Sequence, residues 1–181
     1  MHFLKYVTLF TSAAAATGFT VPEDQADGVY AVVYDNNGEA VLNQLRGPAT
    51  EIELVESKHR SLARPLTERD IVQQKYDCAS PILDLNPGDT DSAVAALERQ
   101  CNPGAVGKDL DFYSKAGNTV AFFCNFGSAA TNCLANEIGD QLFQITLRCG
   151  RYRAGWWTMQ DKDRWVSLGY DAANSHFCGR H

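Results

Sequence analysis

The sequence predicts an α+β fold in which two helices pack on an antiparallel sheet and three disulfides hold the body together. Three observations lead to this fold class: an even number of cysteines (six in 181 residues), two segments with helical spacing, and several short strand-like runs between turn residues. Helices interspersed among such strands are typical of an α+β domain. After removal of a leader, about 160 residues remain, which is enough for one domain with one core.

The first 18 residues have the pattern of a secretory signal peptide. Lys5 supplies positive charge, residues 6–10 are mostly apolar, and the alanines of residues 13–16 lead to the small residues Thr17 and Gly18. A membrane-spanning helix needs about 20 apolar residues, and this run is shorter. The sequence therefore predicts a secreted, extracellular protein with residues 1–18 removed and without a transmembrane segment.

Residues 19–55 are predicted to form an N-terminal β-hairpin arm. Two β-rich runs flank Asn36, Asn37 and Gly38, and an Asn-Gly pair favours the positive φ angles of a tight hairpin turn. Residues 51–55 offer a further short strand. Residues 56–76 are charged and contain Pro65, so we interpret them as a linker.

Residues 77–181 are predicted to form the disulfide-stapled body. A first helix is expected to begin at Asp89 or Thr90 as N-cap and to end near Cys101. A second helix is expected over residues 132–149, where four apolar residues recur at helical spacing. These four residues are Leu134, Ile138, Leu142 and Ile145.

Four strands complete the predicted body as two hairpins. Residues 111–114 and 119–126 flank a turn at residues 115–118, and residues 151–159 and 164–170 flank a turn at residues 160–163. The predicted order is therefore strand, helix, strand pair, helix, strand pair, with both helices on one antiparallel sheet.

Six cysteines behind an export signal indicate three disulfides. They are Cys78, Cys101, Cys124, Cys133, Cys149 and Cys178. A bond between Cys133 and Cys149 is excluded if they bracket one helix, because the helix separates them beyond disulfide reach; the other pairings remain open. No closely spaced ligand pairs of a zinc site occur, and the acidic residues 84–91 fit a helix cap better than a calcium loop. We expect no metal and no cofactor.

The cysteine placement and element order of residues 78–178 resemble fungal small secreted cysteine-rich proteins of the killer-toxin-like and effector-like kind. The resemblance is carried by the strand ending VAFFCNF, the helix between Cys133 and Cys149-Gly150, and the hairpin before a last cysteine. It implies a killer-toxin-like α/β sandwich and the pairs Cys78–Cys149, Cys101–Cys133 and Cys124–Cys178. It also implies an effector or virulence factor that acts on a host or a competitor.

Charge argues against nucleic-acid binding. The formal net charge is −6, and it becomes −7 when the leader removes Lys5 without an acid. Nucleic-acid binding requires a cationic footprint, which this balance does not provide. The expected partner is a host or competitor protein, a glycan or a membrane-surface component, and the protein is expected to be monomeric.

The last predicted hairpin is the candidate contact surface, because it interleaves cations with aromatic residues and contains all three tryptophans. Adjacent strand residues point to opposite faces, so at most one of Trp156 and Trp157 lies in the core on that sheet. An exposed tryptophan beside arginines is typical of recognition hot spots and sugar-stacking surfaces. The predicted contact residues are Arg151, Arg153, Trp157, Lys162, Arg164 and Trp165.

Two alternatives stay open. A secreted, nuclease-like hydrolase would use His176 with Glu137 and Arg153, although no nucleophile motif accompanies this histidine. A structural protein of a cell wall or matrix would need no such site. The sequence leaves enzymatic activity uncertain and favours a secreted binding or toxin-like protein.

Overall fold

The computed structural model describes residues 18–34, 40–45, 71–101, 104–106 and 110–179. Within these residues the chain forms nine strands and two helices. The strands are β1 (Gly28–Tyr34), β2 (Ala40–Leu45), β3 (Ile71–Cys78), β4 (Gly104–Val106), β5 (Leu110–Ala116), β6 (Thr119–Asn125), β7 (Thr131–Cys133), β8 (Gly155–Asp161) and β9 (Trp165–Ala172). The helices are α1 (Pro87–Gln100) and α2 (Ala135–Cys149).

Seven strands form one sheet in the order β2-β1-β5-β6-β9-β8-β3, and every neighbouring pair is antiparallel. Strands β4 and β7 pair separately. Helix α1 packs on β5 and β6, and helix α2 packs on β3, β8 and β9. The predicted arrangement of two helices on an antiparallel sheet with three disulfides is therefore confirmed.

The main core lies between the helices and the face of the sheet that they cover, which we call the first face. Ile138, Leu142 and Ile145 of α2 are buried there, as the helical spacing predicted. Leu134, the fourth residue of the predicted stripe, precedes the helix as its N-cap and is 41% exposed. Burying such side chains removes apolar surface from water, which stabilises the folded state by about 25 cal/mol for each Å² buried.

A second, smaller core lies on the opposite face of the sheet. Tyr30, Tyr113 and Phe122 are buried there under two short segments, one at each end of the described chain. The backbones of Phe19 and Phe177 pair through hydrogen bonds of 2.7 and 3.0 Å, which joins these two segments. The two segments cover only part of the second face.

Three disulfides connect these layers. Cys78–Cys149 links edge strand β3 to the end of α2, Cys101–Cys133 links the end of α1 to β7, and Cys124–Cys178 links β6 to the C-terminal segment. These are the pairs implied by the resemblance. The described chain has no free cysteine.

The N-terminal hairpin is not an appended arm. Strands β1 and β2 pair with each other as the Asn-Gly signal predicted, while the turn residues 35–39 lie outside the described residues. However, β1 also pairs along its length with β5, so the hairpin is one end of the main sheet. It joins the sheet because Tyr30 and Val32 bury their side chains against Tyr113 on the second face.

The prediction of a linker over residues 56–76 is wrong for its last six residues. Residues 71–76 belong to β3, which pairs with β8 and forms the other edge of the sheet. The predicted strand at residues 51–55, like the rest of the linker, lies outside the described residues. Strand β3 carries Gln73, Gln74 and Lys75 in succession, a polar run that an edge strand tolerates.

The helix starts also differ from prediction. Asn86, not Asp89 or Thr90, is the N-cap of α1, and its side-chain oxygen accepts the backbone N–H of Asp89 at 3.1 Å. Pro87 follows as the first helical residue, which is favourable because that position needs no backbone N–H. Helix α2 begins at Ala135, since Cys133 is held in β7 by pairing with β4.

Candidate functional site

A groove of about 560 Å³ lies on the second face of the sheet, where the terminal segments leave β9, β8 and β3 uncovered. Its floor consists of side chains from these three strands together with Phe122 and Phe126, and its wall consists of residues 176–179 together with Gly18. Ligand pockets in proteins typically have volumes of about 300–1,000 Å³ and are lined by aromatic groups with a few polar ones. The groove fits this description, so it is the candidate functional site.

Strand alternation places Trp156 and Trp165 on the floor of the groove. On β8, Trp156, Thr158 and Gln160 face the groove, whereas Trp157 and Met159 are buried under the helices. On β9, Trp165 and Ser167 face the groove, and Val166 between them faces the helices. Both groove tryptophans are partly exposed, and Phe126 packs against Trp165 with ring centroids 5.3 Å apart.

A hydroxyl pair lies between the two tryptophans. Thr158 and Ser167 are directly opposite each other in the β8–β9 ladder, and the Thr158 hydroxyl donates to Ser167 Oγ at 3.2 Å. Ser167 in turn donates to the carbonyl of Trp157 at 3.0 Å. Both hydroxyl oxygens keep lone pairs that can accept hydrogen bonds from a ligand.

Gly169 keeps the floor flat beside Trp156. It pairs with Trp156 on β8 and with Phe122 on β6. A Cβ atom at position 169 would lie 2.7 Å from Cβ of Trp156 and would also collide with the carbonyl oxygen of Gly155. The close approach of β8 and β9 at this point therefore requires glycine.

The wall of the groove is fixed by packing and by a covalent bond. Phe177 stacks on Phe122 with ring centroids 5.1 Å apart, and the disulfide of Cys178 attaches the segment to β6. His176, which lines the groove, has its Nδ1 2.6 Å from Thr20 Oγ1 and 3.3 Å from the carbonyl oxygen of Gly18. The two terminal segments thus form one wall.

The rim at β3 is polar, with Gln73, Lys75 and Asp77 lining the groove. Lys75 and Asp77 form an ion pair at 2.8 Å, so their charges compensate each other. Within the described part of the chain, the side-chain amides of Gln73 and Gln160 have no hydrogen-bond partner. These amides can therefore donate to and accept from a ligand.

Asp171 is the buried acid of the groove. Its side chain accepts the backbone N–H of Ala172 at 2.7 Å, and the residue is only 6% exposed. Burial raises the pKa of Asp171, while hydrogen bonds from Ala172 and Ser175 oppose that shift. The raised pKa means that the fold penalises the charged form of this carboxyl.

The structure does not bring the six predicted contact residues together on one surface. Trp157 is 2% exposed in the core under the helices, so its prediction as a contact residue is wrong. Arg164 lies on the same side of the sheet and holds Glu137 through two hydrogen bonds of 2.6 Å. Of the six, Trp165 lines the groove.

The other cations of that set have their contacts outside the groove. Arg153 Nε donates to Asp84 at 3.1 Å, and Arg151 donates to the hydroxyl of Tyr152 at 2.8 Å and lies over its ring. Lys162 is exposed near Asp163 at 3.8 Å. These arginines and this lysine do not line the groove.

The three residues of the alternative hydrolase are also separated. His176 lines the groove on the second face, whereas Glu137 belongs to α2 and is held by Arg164 on the first face. Arg153 pairs with Asp84 near the end of α2. The sheet lies between the histidine and the glutamate, so these three side chains form no common site.

The sequence did contain a signal for the groove residues. Apolar residues alternate with polar ones along both strands. The apolar positions are Trp157 and Met159 on β8 and Val166, Leu168 and Tyr170 on β9. The polar positions between and beside them are Thr158, Gln160, Ser167 and Asp171. A tryptophan in phase with the polar set lies on the solvent face. This phase selects Trp156, which is not among the predicted contact residues. The contribution of β3 has no comparable signal.

Among the described residues, one cluster has the spacing of metal ligands, namely Asp111, Cys124 and Cys178. Both cysteines are in a disulfide, so they offer no thiolate and the cluster is not a metal site. Neither helix in the described part of the chain has the length and apolar run that crossing a membrane requires.

Comparison of the chain with protein-family models, with curated proteins and with solved structures finds no match.

Proposed function

We propose that this is a secreted binding protein of the effector or toxin-like kind, which recognises an extracellular component of a host or competitor through the groove. The observation that carries the proposal is the pair of partly exposed tryptophans, Trp156 and Trp165, on the floor of a groove on the helix-free face. Exposed tryptophan is unfavourable in water and is enriched where proteins bind partners.

The rigidity of the groove supports a binding role. Its floor consists of paired strands, and its wall is attached by the Cys124–Cys178 disulfide and by the stacking of Phe177 on Phe122. A site that is ordered before binding loses little conformational entropy when the ligand arrives. Disulfides also suit an oxidising extracellular environment.

The position of Phe19 requires that the proposed leader end no later than Gly18; if it ends at Gly18, residues 176–179 and the segment from Phe19 form the wall of the mature protein. The backbone N–H of Phe19 donates to the carbonyl of Phe177, and its ring packs on Tyr113 and Phe177. Cleavage after Phe19 would remove these contacts from the wall. Expression of the full chain in a secreting eukaryotic host, followed by intact-mass measurement of the culture fluid, should give a product that begins no later than Phe19 and carries no free thiol. Retention of the leader in a cellular product would contradict the proposal.

Retention on extracellular surfaces tests the binding role directly. The purified protein is incubated with washed yeast cell walls, plant cell walls and bacterial sacculi, and the bound fraction is measured after pelleting. We expect retention on at least one preparation, and we expect the double variant Trp156→Ala, Trp165→Ala to lose it.

Phe143→Ala is the matched control, since Phe143 is an aromatic residue that is 59% exposed on α2, on the other side of the sheet. It should be retained like the wild type. Two results would overturn the proposal: failure of the wild type to bind any preparation, or equal retention of the double variant and the wild type. Circular dichroism of each variant establishes that the fold is intact.

A further inference from the structure

We propose that the ligand of the groove is a neutral oligosaccharide that spans both tryptophans. This inference rests on the proposed binding function and adds the chemical class of the ligand. Four properties of the groove carry it: its aromatic floor, its uncharged polar groups, its compensated charge and its length.

The aromatic floor suits the face of a sugar ring. A pyranose presents C–H groups on its faces and hydroxyl groups around its edge. The C–H groups carry partial positive charge and pack favourably on the negative face of an aromatic ring. Trp156 and Trp165 place two partly exposed aromatic rings on this side of the sheet, and Phe126 packs against Trp165.

Uncharged polar groups surround the two tryptophans. Thr158 and Ser167 lie between them, and the amides of Gln73 and Gln160 lie at the rim. Hydroxyl and amide groups both donate and accept hydrogen bonds, as the hydroxyl groups of a sugar do. A purely apolar ligand would leave these groups without partners, at a cost for each one that is buried.

The charge of the groove argues for a neutral ligand. Lys75 is paired with Asp77, and the predicted cluster of arginines lies elsewhere. Asp171 lines the groove as a buried acid that would repel an anion when it is ionised. Binding of an anionic polymer requires uncompensated cations, and the one lysine among the described lining residues is paired with Asp77.

The length of the groove calls for an oligomer. Trp165 is four residues from Gly169 on β9, and Gly169 lies directly opposite Trp156. At about 3.3 Å per residue, the two tryptophan positions are therefore about 13 Å apart along the strands. One sugar ring cannot contact both, whereas a chain of several rings can contact both tryptophans and the hydroxyl pair between them.

Isothermal titration of the wild-type protein with soluble oligosaccharides tests the inference. The probes are the hexasaccharides of chitin, cellulose, β-1,3-glucan and α-mannan, together with the disaccharide of each. We expect at least one hexasaccharide to bind, with an affinity roughly tenfold or more above that of its disaccharide, because only the longer chain engages both tryptophans. Trp156→Ala and Trp165→Ala should each lower the affinity for that hexasaccharide by about tenfold.

Phe143→Ala again serves as control and should leave the hexasaccharide affinity unchanged. The inference is overturned if no hexasaccharide binds, if hexasaccharide and disaccharide bind equally, or if either tryptophan substitution leaves binding unchanged. The proposed function stands in that case if the wall preparations still retain the protein through Trp156 and Trp165. Loss of that retention after protease treatment of the walls would then identify a polypeptide partner. If the walls do not retain the protein at all, the proposed function fails as well.

Discussion

Trp156 and Trp157 are neighbours in the chain but lie on opposite faces of the sheet, one in the groove and the other in the core under the helices. One residue thus contributes to the proposed binding surface and the other to stability. Substitution of each should therefore affect a different property.

Trp157→Ala should destabilise the fold strongly and Trp156→Ala only weakly. Trp157 is among the largest buried side chains, and truncation of such a residue costs about 3–5 kcal/mol because it leaves a cavity. Trp156 is partly exposed, so its truncation loses less burial. Urea denaturation gives the free energy of unfolding of each variant. Equal losses for the two variants would contradict the assignment of Trp157 to the core.

The ion pair of Glu137 and Arg164 should stabilise the fold as a coupled unit. Arg164 donates to both carboxylate oxygens of Glu137 at 2.6 Å, and the side chains are only 18% and 21% exposed. A double-mutant cycle with Glu137→Gln and Arg164→Met should give a coupling free energy of about 1–3 kcal/mol. A coupling near zero would show that the two groups act independently. These substitutions should leave binding in the groove unchanged, because both residues lie on the first face.

Asp171 should make the protein less stable as pH rises. Burial raises its pKa in the folded state above the ordinary value of 3.8, so the folded state holds the proton more tightly than the unfolded state. This contribution is most favourable below pH 3.8 and declines as pH rises through the folded-state pKa. Asp171→Asn, which cannot ionise, should lack the decline. The measurement is the difference in unfolding free energy between wild type and variant at several pH values; a difference that does not change with pH would refute the prediction.

Removal of the Cys124–Cys178 disulfide should impair both stability and binding. The bond joins residues 54 positions apart and holds the C-terminal segment that forms the groove wall. Its replacement by two alanines should cost about 4 kcal/mol in the chain-entropy account and should weaken retention on cell walls.

The Cys101–Cys133 disulfide provides the matched control, because it joins residues 32 positions apart at α1 and β7 and does not line the groove. Its replacement by alanines should cost about as much stability, on the order of 4 kcal/mol, and should preserve retention. Equal loss of retention in both variants would indicate that the wall has no specific role in binding.

Local sequence signals predicted the elements that depend on near neighbours in the chain. Helix α2 followed from the spacing of Ile138, Leu142 and Ile145, and the β5–β6 hairpin followed from two apolar runs around a turn. The predicted start of α1 differs from the observed one by three or four residues, because Asn86, Asp89 and Thr90 are all good capping residues. Only Pro87 distinguishes Asn86 from the other two, because proline is favoured at the first helical position, directly after the N-cap.

The site was predicted less well than the fold. The last hairpin lines the groove, and Trp165 is the one predicted contact residue that does so; its role in binding stays a prediction. The arginines were wrongly grouped because sequence proximity does not reveal that Arg153 and Arg164 turn toward Asp84 and Glu137. Those acids lie in distant parts of the chain, 69 and 27 residues away.

The sequence by itself determined the fold class, the two helices and the alternation that separates Trp156 from Trp157, because each depends on residues within one element. The tertiary structure decided that β1 pairs with β5, that β3 pairs with β8, and that the two ends of the described chain meet at Phe19 and Phe177. These contacts join segments far apart in the chain, and their register depends on which apolar surfaces remain to be buried once the local elements have formed. The groove is the part of the second face that those long-range contacts leave open.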